Sequence, residues 1–336
     1  MSVINRGASN KEQSTAGIGA DPHWREPLAF LEIQETLRCP VDMRPLRWIE
    51  SEGVLLSSDG QRRYPVVDDI PCLFAPNEWP EGKSDVTEMA KSFYEDTPFP
   101  NYDDLDGRES LLTKLRRGVF ERLLDEQLGR PMMVLEAGCG TGQLSNFLGM
   151  GWGRTVIGAD LCLNSLRLAK SFRDRCSIAN VQFVQMNLFR PPFEDGTFDL
   201  VICNGVLHHT SDPEGGFHSI ARKLKPGGHV IVGLYNWLGR LPTLWRRRLS
   251  ARYRAQHRHP HESKHSMAEV GKWFDLSGID LTFTIPPVGG EDFTEDTQLF
   301  RPRPPHGNLG YAVSELEMLL TGGRDGGLYT MIGRKH

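Results

Sequence analysis

An apolar run that ends in an acidic residue and then meets three alternating glycines constrains the fold of this chain more than any other feature. The run covers residues 134–136, and the glycines are Gly138, Gly140 and Gly142. This order predicts a buried strand that turns through a glycine loop into a helix, where main-chain N–H groups can approach a ligand closely. The spacing differs from the dinucleotide pattern G-x-G-x-x-G, because the third glycine comes one residue early.

Length and composition bound the class of protein. A chain of 336 residues can hold one large α/β domain and a smaller one. The formal net charge of -4 gives no overall reason to expect a nucleic acid or an anionic membrane as partner. The six cysteines form no regular framework, so we expect reduced thiols of a cytoplasmic protein. We also expect no signal peptide and no transmembrane segment, since no run reaches about eighteen apolar residues.

The chain divides into three predicted parts. Residues 1–28 are polar and without periodicity, which predicts a disordered tail. Residues 29–77 contain four short apolar runs broken by Gly, Asp and Pro, which predicts a small β-rich module. Residues 85–336 follow a polar linker and alternate strand candidates with helix-length segments. Such alternation is typical of the α/β fold class with a parallel sheet.

The strand candidates of the large part set the place of the candidate site. They lie at 134–136, 155–160, 181–186, 198–204 and 229–235. One amphipathic helix, with apolar residues from Leu111 to Leu124, is predicted ahead of them. Because ligand-binding residues of such a sheet collect at the carboxyl ends of its strands, we expect the site there.

The glycine loop resembles the first motif of class I S-adenosylmethionine-dependent methyltransferases. Two later stretches, "PPFEDGTFDLVICNGVLHHTSDP" and "IARKLKPGGHVIVGLYN", resemble the type-11 group of that family, which includes methyltransferases of quinone biosynthesis. The resemblance implies S-adenosylmethionine as cofactor and a Rossmann-like sheet of seven strands. In that sheet the last strand pairs antiparallel between the fifth and the sixth. It also implies methyl transfer to a small or medium-sized metabolite.

The resemblance also assigns the cofactor-binding residues. Glu136 would orient the methionine amine, and Asp160 would accept both ribose hydroxyls. Asn187, where the family usually carries Asp, would accept from the adenine amino group. The alternatives are an ordinary helix cap for Asp160 and a turn role for Asn187. The predicted set is Glu136, Gly138, Cys139, Gly140, Gly142, Asp160, Leu161, Asn187, Leu188, Asn204 and Tyr102.

Three residues just beyond the fourth and fifth strands are candidates for catalysis, namely His208, His209 and Tyr235. The sulfonium methyl group is already electrophilic, so the site chiefly has to align the nucleophile and exclude water. A base is needed only when that nucleophile carries a proton, and a histidine can serve near neutral pH. The alternatives are a structural or cofactor-wall role for the histidines and a pocket-lining role for Tyr235.

A segment rich in aromatic residues, "FYEDTPFPNYDD", precedes the first predicted helix of the large part. It contains Tyr94, Phe99 and Tyr102. In related methyltransferases a segment in this place often folds over the cofactor and substrate as a lid. The alternative is a linker whose aromatic side chains cover the edge of the sheet.

The small N-terminal module resembles the zinc-ribbon-like activator domain that partners or is fused to several methyltransferases, through "RCPVDMRPL" and "YPVVDDIPCLF". In the family pattern two cysteine pairs hold a metal, and tetrahedral zinc needs four such ligands. This chain keeps Cys39 but has Asp42, Ser57 and Gly60 at the other positions. We therefore predict no structural zinc and no other metal site.

A basic insertion at 236–265 is the most individual part of the chain. Between Arg240 and Lys264 it carries seven arginines and one lysine against one acid, a formal charge of +7. A solvated cap over the pocket is the first interpretation, and a phosphate- or carboxylate-bearing substrate is the second. A membrane-surface helix and an RNA contact are further alternatives. A tRNA- or protein-directed methyltransferase, a non-catalytic S-adenosylmethionine-binding module and a nicotinamide dehydrogenase also stay open as functions.

Overall fold

One mixed sheet of eleven strands organises the residues that the structure describes. This structure is a computed structural model, and it describes residues 29–79, 85–103, 105, 107–249, 261–288, 292–303, 307–320 and 326–336. The strands are β1 (Leu46–Ile49), β2 (Val54–Ser57), β3 (Arg63–Val67), β4 (Ile70–Leu73), β5 (Met132–Ala137), β6 (Arg154–Asp160), β7 (Val181–Met186), β8 (Phe198–Asn204), β9 (Leu224–Tyr235), β10 (Ile279–Ile285) and β11 (Leu328–Lys335). The predicted tail at 1–28 lies outside the described residues.

Ten α-helices connect and cover these strands within the described ranges. They are α1 (Phe30–Ile33), α2 (Thr87–Asp96), α3 (Arg108–Arg116), α4 (Val119–Gln127), α5 (Gln143–Gly149), α6 (Leu163–Arg175), α7 (Pro213–Ala221), α8 (Trp237–Leu249), α9 (Met267–Leu276) and α10 (Asn308–Leu320). In the part of the chain that the structure describes, none of the helices combines the length and the apolar character needed to span a bilayer.

The strand order across the sheet is β1-β2-β3-β4-β7-β6-β5-β8-β9-β11-β10. All neighbours from β4 to β9 pair in parallel. β11 is antiparallel to both β9 and β10. The α/β class and the Rossmann-like mixed sheet are as predicted. Residues 85–336 contribute seven of the strands, β5 to β11, and the N-terminal module adds the other four because β4 pairs with β7.

Side chains alternate across the central strands and form one core on each face of the sheet. Val134 and Val156 belong to the core under α3, α4, α5 and α6. Leu135 and Ile157 point to the opposite core, which α7, α9 and α10 cover. The single helix predicted from Leu111 to Leu124 is wrong, since it is divided into α3 and α4. The division lies at Gly118, which is extended with φ -74° and ψ 127°.

The N-terminal module is joined to the large part through its last strand. Cys72 of β4 is in register with Gln185 of β7. Gln182 of the same strand donates from Nε2 to the carbonyl of Asp69 at 2.6 Å. These contacts place the module at the edge of the parallel sheet.

An ion cluster occupies the part of the module where the ribbon pattern has its ligand positions. Arg62 Nη1 lies 3.0 Å from a carboxylate oxygen of Asp59 and 3.5 Å from one of Asp42. Ser57 donates to Asp59 at 2.5 Å, and Cys39 Sγ lies 3.3 Å from the hydroxyl of Tyr64. Among the described residues, no group of three metal-binding side chains converges. The absence of zinc stays a prediction.

Replacing Gly142 should destabilise the fold measurably. Gly142 starts α5 with φ +71°, and a Cβ there would lie 2.8 Å from Ala169 Cβ and from Phe183 Cε1. The left-handed conformation costs an alanine roughly 1–2 kcal/mol, and overpacking costs roughly 1–3 kcal/mol more. We expect Gly142→Ala to lower the free energy of unfolding in urea by about 2–5 kcal/mol.

Gly60→Ala is the matched control. Gly60 has φ +72°, but a Cβ there would meet nothing within 4 Å. The free energy of unfolding of this variant should fall only by the cost of the left-handed backbone conformation, about 1–2 kcal/mol. Equal losses at both positions would contradict the packing argument at Gly142.

Candidate active site

The glycine loop is hydrogen-bonded to the end of the neighbouring strand. The main-chain N–H of Gly138 donates to the carbonyl of Ala159 at 2.7 Å, and that of Gly140 donates to Asp160 Oδ2 at 2.8 Å. Positive φ angles of +81°, +53° and +71° occur at Gly138, Gly140 and Gly142. The loop therefore lies beside the carboxyl ends of β5 and β6, where two acidic side chains come to one edge of the sheet.

A cavity of about 430 Å³ opens at this edge. Its volume is in the range of sites for small organic ligands. The predicted site residues that line it are Glu136, Gly138, Cys139, Gly140, Asp160, Leu161, Asn187, Leu188, Asn204, His209 and Tyr235. Lining residues absent from the prediction include Val86, Thr87, Ala90, Ser165, Phe189, Val206 and Thr210.

The residues absent from the prediction carry weak sequence signals. Val86, Thr87 and Ala90 belong to the start of α2, which no motif of the sequence identified. Tyr94 and Phe99 further along also line the cavity. The aromatic segment thus borders the cavity, and its role as a lid stays a prediction.

Glu136 is a buried acid at the inner wall. Ser145 donates its hydroxyl to Glu136 Oε2. Burial raises the pKa of Glu136 to about 7, while the hydrogen bonds from Ser145 work in the opposite direction. A cationic group bound nearby would favour the ionised carboxylate.

Asp160 uses both of its carboxylate oxygens on the main chain. Oδ2 accepts from Gly140, and Oδ1 accepts from the N–H of Cys162 at 2.9 Å, just ahead of α6. Burial raises the pKa of Asp160, and these N–H donors oppose that shift. Asp160 is not the cap of α6, because the N-cap of that helix is Cys162 and Asp160 Oδ1 accepts from the N–H of Cys162 itself. The ribose role remains a prediction, and it is compatible because an ionised carboxylate has about four acceptor sites.

Asn187 has the turn role that was the alternative at this position. Its Oδ1 accepts from the N–H of Phe189 at 3.0 Å. Its Nδ2 donates to the carbonyl of Ala75 at 2.8 Å and to Asn77 Oδ1 at 2.7 Å. Asn187 thus ties the chain leaving the N-terminal module to the end of β7. Contact with an adenine remains a prediction.

Three predicted site residues do not line the cavity. The Tyr102 hydroxyl donates to the carbonyl of Thr141 at 2.7 Å, and its ring stacks on Phe172 at 4.4 Å, so it supports the glycine loop from outside. Gly142 faces the core instead of the cavity. His208 is buried, with its ring centroid 4.3 Å from that of Tyr235. These three residues lie behind the cavity wall, and a direct ligand contact by them stays a prediction.

His209 faces the cavity in a defined tautomer. Its Nδ1 lies 2.8 Å from the carbonyl oxygen of His261. A carbonyl only accepts, so Nδ1 carries the hydrogen and Nε2 is the basic nitrogen of the neutral ring. The His208 ring lies behind it, with centroids 4.2 Å apart.

Arg240 at the start of the basic insertion is engaged inside the protein. Its Nε and Nη2 lie 3.0 and 2.6 Å from the two carboxylate oxygens of Glu262. Its Nη1 donates to the carbonyl of Gly326 at 3.0 Å, and the guanidinium lies 3.8 Å from the centroid of the Tyr235 ring. Arg240 is therefore neutralised and positions Tyr235. Residues 250–260 of the insertion lie outside the described residues.

Residues 135–232 match a family described as a methyltransferase domain. The matched segment covers 98 of the 336 residues of the chain. The match runs from β5 into β9 and confirms the predicted class of enzyme and its cofactor, S-adenosylmethionine, at the level of this domain. It leaves out the N-terminal module and α8.

Relatives of the chain resemble it over part of their length. A protein of Synechococcus sp. of undefined role is 36% identical over 116 residues, which are 34% of this chain and 28% of the relative. A ubiquinone/menaquinone biosynthesis C-methyltransferase of Idiomarina loihiensis is 35% identical over 106 residues, 31% of this chain and 42% of the relative. The chain thus spans less than half of the length of either protein.

A solved structure with a similar course of the chain is the geranyl diphosphate C-methyltransferase of Streptomyces coelicolor A3(2). The two chains superpose with a TM-score of 0.49 at 16% sequence identity. The superposition covers 76% of this chain and 100% of the other.

Breaking the buried ion pair beside the cavity should be costly. The side chains of Arg240 and Glu262 are 4% and 13% exposed. Glu262→Ala leaves the Arg240 guanidinium buried without its main partner, and we expect it to lower the free energy of unfolding by about 3–5 kcal/mol. The double variant Arg240→Leu with Glu262→Leu should lose less, because no uncompensated charge remains.

Urea denaturation of the single and double variants tests this expectation. Glu295→Ala is the control, because Glu295 pairs with Arg122 at an exposed position, 73% accessible on the acid. Such a surface pair should contribute little. A Glu262→Ala variant as stable as Glu295→Ala would show that the buried pair has no structural role.

Proposed function

We propose that this protein is an S-adenosylmethionine-dependent methyltransferase that methylates a small or medium-sized metabolite by in-line displacement. The observation that carries the proposal is the placement of two carboxylates, Glu136 and Asp160, at the wall of one cavity with the glycine loop between them. One carboxylate suits an ammonium group and the other suits a pair of hydroxyls. The cofactor carries an ammonium group on its methionine part and two hydroxyls on its ribose, on either side of the sulfonium.

The aromatic segment packs closely on the loop backbone at Gly140. A Cβ at Gly140 would lie 2.2 Å from the carbonyl oxygen of Phe99. The aromatic segment therefore lies directly on the loop, and both border the cavity. We assign Glu136 to the methionine amine, Asp160 to the ribose, and Leu161 to the face of the adenine. When bound, the cofactor supplies an electrophilic methyl carbon on a sulfonium.

The remaining chemistry falls to side chains at the ends of β8 and β9. We assign His209 as the proton acceptor for a nucleophile that carries a proton, because it lines the cavity and its Nε2 is the basic nitrogen. Tyr235, held from the other side by Arg240, lines the pocket and positions the substrate. His208 supports both rings from the core. The segment with Tyr94 and Phe99 excludes water.

We also infer that residues 29–77 form a ribbon-like module without most metal ligands and that residues 85–336 form the methyltransferase domain. Four strands in the expected places and the Arg62 cluster support the first assignment. The parallel sheet and the matched range support the second.

Calorimetric titration with S-adenosylmethionine, S-adenosylhomocysteine and NAD tests the cofactor, and a radiolabelled methyl donor with fractionated cell extract tests the reaction. We expect binding of both sulfur nucleosides, no binding of NAD, and label in a small-molecule fraction. Binding without transfer to any fraction would instead support a non-catalytic module. Label in an RNA or protein fraction would replace the proposed substrate class.

Asp160→Ala should weaken binding of the cofactor. Loss of hydrogen bonds to a charged group costs roughly 1.5–3 kcal/mol, so the dissociation constant should rise about 10- to 150-fold in calorimetry. Asp160→Asn keeps one acceptor oxygen, so its dissociation constant should lie between those of the wild-type protein and Asp160→Ala. The control is Asp280→Ala at the opposite edge of the sheet, where the side chain is 73% exposed. Unchanged affinity in a folded Asp160→Ala variant would remove the ribose assignment.

Cofactor affinity should depend on pH through Glu136. The pKa of Glu136 is raised to about 7, and the bound ammonium prefers the ionised form. Affinity should therefore be highest between about pH 7 and 8, where the carboxylate is ionised and the amine still protonated, and fall by up to about tenfold per pH unit below pH 7.

Glu136→Gln isolates this contribution. Its affinity should be lower at pH 8 and should lose most of the pH dependence between pH 5 and 7. The titratable groups of the cofactor and the other side chains of the site are the same in both proteins, so the difference between the two pH profiles belongs to Glu136. An equally steep pH dependence in Glu136→Gln would show that another group is responsible.

A further inference from the structure

The chain that leaves the N-terminal module contacts one wall of the cavity. This bridging segment, residues 75–79, follows β4 and lies against the residues that follow β7. The carbonyl of Ala75 accepts from Asn187 Nδ2 at 2.8 Å. The ring of Trp79 meets that of Phe189 nearly at a right angle, with centroids 4.9 Å apart. Because Asn187 and Phe189 both line the cavity, the bridging segment supports this wall.

Asn77 joins this wall to helix α2. Its Oδ1 accepts from Asn187 Nδ2 at 2.7 Å, and its Nδ2 donates to Thr87 Oγ1 at 2.9 Å. The same Nδ2 lies 3.4 Å from Asp85 Oδ2. Thr87 lines the cavity, whereas Asn77 itself does not. One amide side chain therefore connects two walls of the cavity that belong to distant parts of the chain.

Helix α2 forms the second wall. Thr87, Ala90 and Tyr94 line the cavity, and their spacing of three and four residues puts them on one face of the helix. The main-chain N–H of Thr87 donates to Asp85 Oδ1 at 2.9 Å, which holds the first turn. Burial raises the pKa of Tyr94, and the charge of Asp160 acts in the same direction. Helix α2 thus runs along the cavity from the contact with Asn77 to the neighbourhood of Asp160.

Backbone groups fix the direction of the link between the two walls. The carbonyl of Ala75 accepts from Asn187 Nδ2, and the N–H of Phe189 donates to Asn187 Oδ1 at 3.0 Å. The second hydrogen of Nδ2 therefore points to Asn77. Asn77 has to turn its oxygen towards this donor, because the reverse orientation would bring two NH₂ groups together. Its own NH₂ group is then directed to Thr87, so the link has a single orientation.

We propose that Asn77 is a positioning residue of the cofactor site, which holds α2 and Asn187 at the spacing that the nucleoside part of the cofactor requires. The proposal rests on the proposed function, in which Asp160 and Leu161 bind the ribose and the adenine. Loss of the Asn77 side chain frees the first turn of α2 and takes one acceptor from Asn187. Walls that are no longer pre-organised bind a ligand less tightly, so the cofactor leaves sooner.

Release of S-adenosylhomocysteine from the full-length protein tests the proposal. In a stopped-flow displacement experiment, Asn77→Ala should raise the dissociation rate constant about tenfold, as the loss of two hydrogen bonds predicts. The association rate constant should change less.

Asn180→Ala is the matched control. Asn180 directly precedes β7, whereas Asn187 directly follows it, so the two residues lie at opposite ends of one strand. Asn180 Nδ2 also makes two contacts, at 3.3 Å each, with the carbonyls of Gly149 and Gly151. Asn180→Ala should leave the dissociation rate constant unchanged. Melting temperatures verify the folding of both variants.

Variants of Thr87 test whether Asn77 acts through that residue. Thr87→Val removes the hydroxyl with little change of volume and should raise the dissociation rate constant, whereas Thr87→Ser keeps the hydroxyl and should stay close to the wild-type value. The double variant Asn77→Ala with Thr87→Val should release the ligand about as fast as Asn77→Ala alone, because both changes break the same link. Independent structural roles would instead multiply the two effects.

A truncated ligand tests which end of the cofactor depends on Asn77. 5′-Methylthioadenosine carries the nucleoside and the sulfur but no amino acid. In calorimetric titrations, Asn77→Ala should weaken the binding of this compound and of S-adenosylhomocysteine by the same factor. Glu136→Gln should weaken the binding of S-adenosylhomocysteine only.

The outcomes separate this proposal from the proposed function. If the wild-type protein does not bind S-adenosylhomocysteine, both are wrong. If the wild-type protein binds it and a folded Asn77→Ala variant releases it at the same rate, only the role of Asn77 is overturned. Multiplied effects in the double variant would also overturn that role, and so would an unchanged affinity of Asn77→Ala for 5′-methylthioadenosine.

Discussion

The bond network between the glycine loop and the end of β6 sets the geometry on which the rest of the site depends. Main-chain donors of the loop bond the carbonyl of Ala159 and the carboxylate of Asp160. They turn the chain sharply after β5 and leave Glu136 at the cavity wall. Tyr102 and Phe99 then brace the same loop from its outer side. A loop held from two sides is pre-organised, which lowers the entropy cost of binding a ligand.

Local pattern predicted the parts of the site that depend on a single strand and its following loop. Glu136, Asp160 and the glycines stand at fixed distances along the chain, and the parallel sheet brings them together without further information. The strands of the N-terminal module were also predictable from the sequence, because short apolar runs alternate with turn residues. His209 was identified as a cavity residue from its place after β8.

Contacts between distant segments were not predictable in the same way. Asn187 bonds Ala75 and Asn77 because β4 aligns with β7, and no periodicity within either strand encodes that pairing. Tyr102 was predicted to bind the cofactor, but its ring stacks on that of Phe172. The break at Gly118 was missed because the apolar spacing continues across it. Arg240 was assigned with the other basic residues, although its partner is 22 residues away.

Arg62 gives the N-terminal module a property of its own. The Arg62 guanidinium links the carboxylates of Asp42 and Asp59 through side chains of the protein itself. A metal site would need an ion from solution to make the same link. The link between the segments at Asp42 and Asp59 is therefore made by charges and hydrogen bonds of the chain itself. The same contacts are partly open to solvent, so high ionic strength screens them. The link between the segments that carry Asp42 and Asp59 is therefore weaker at high salt.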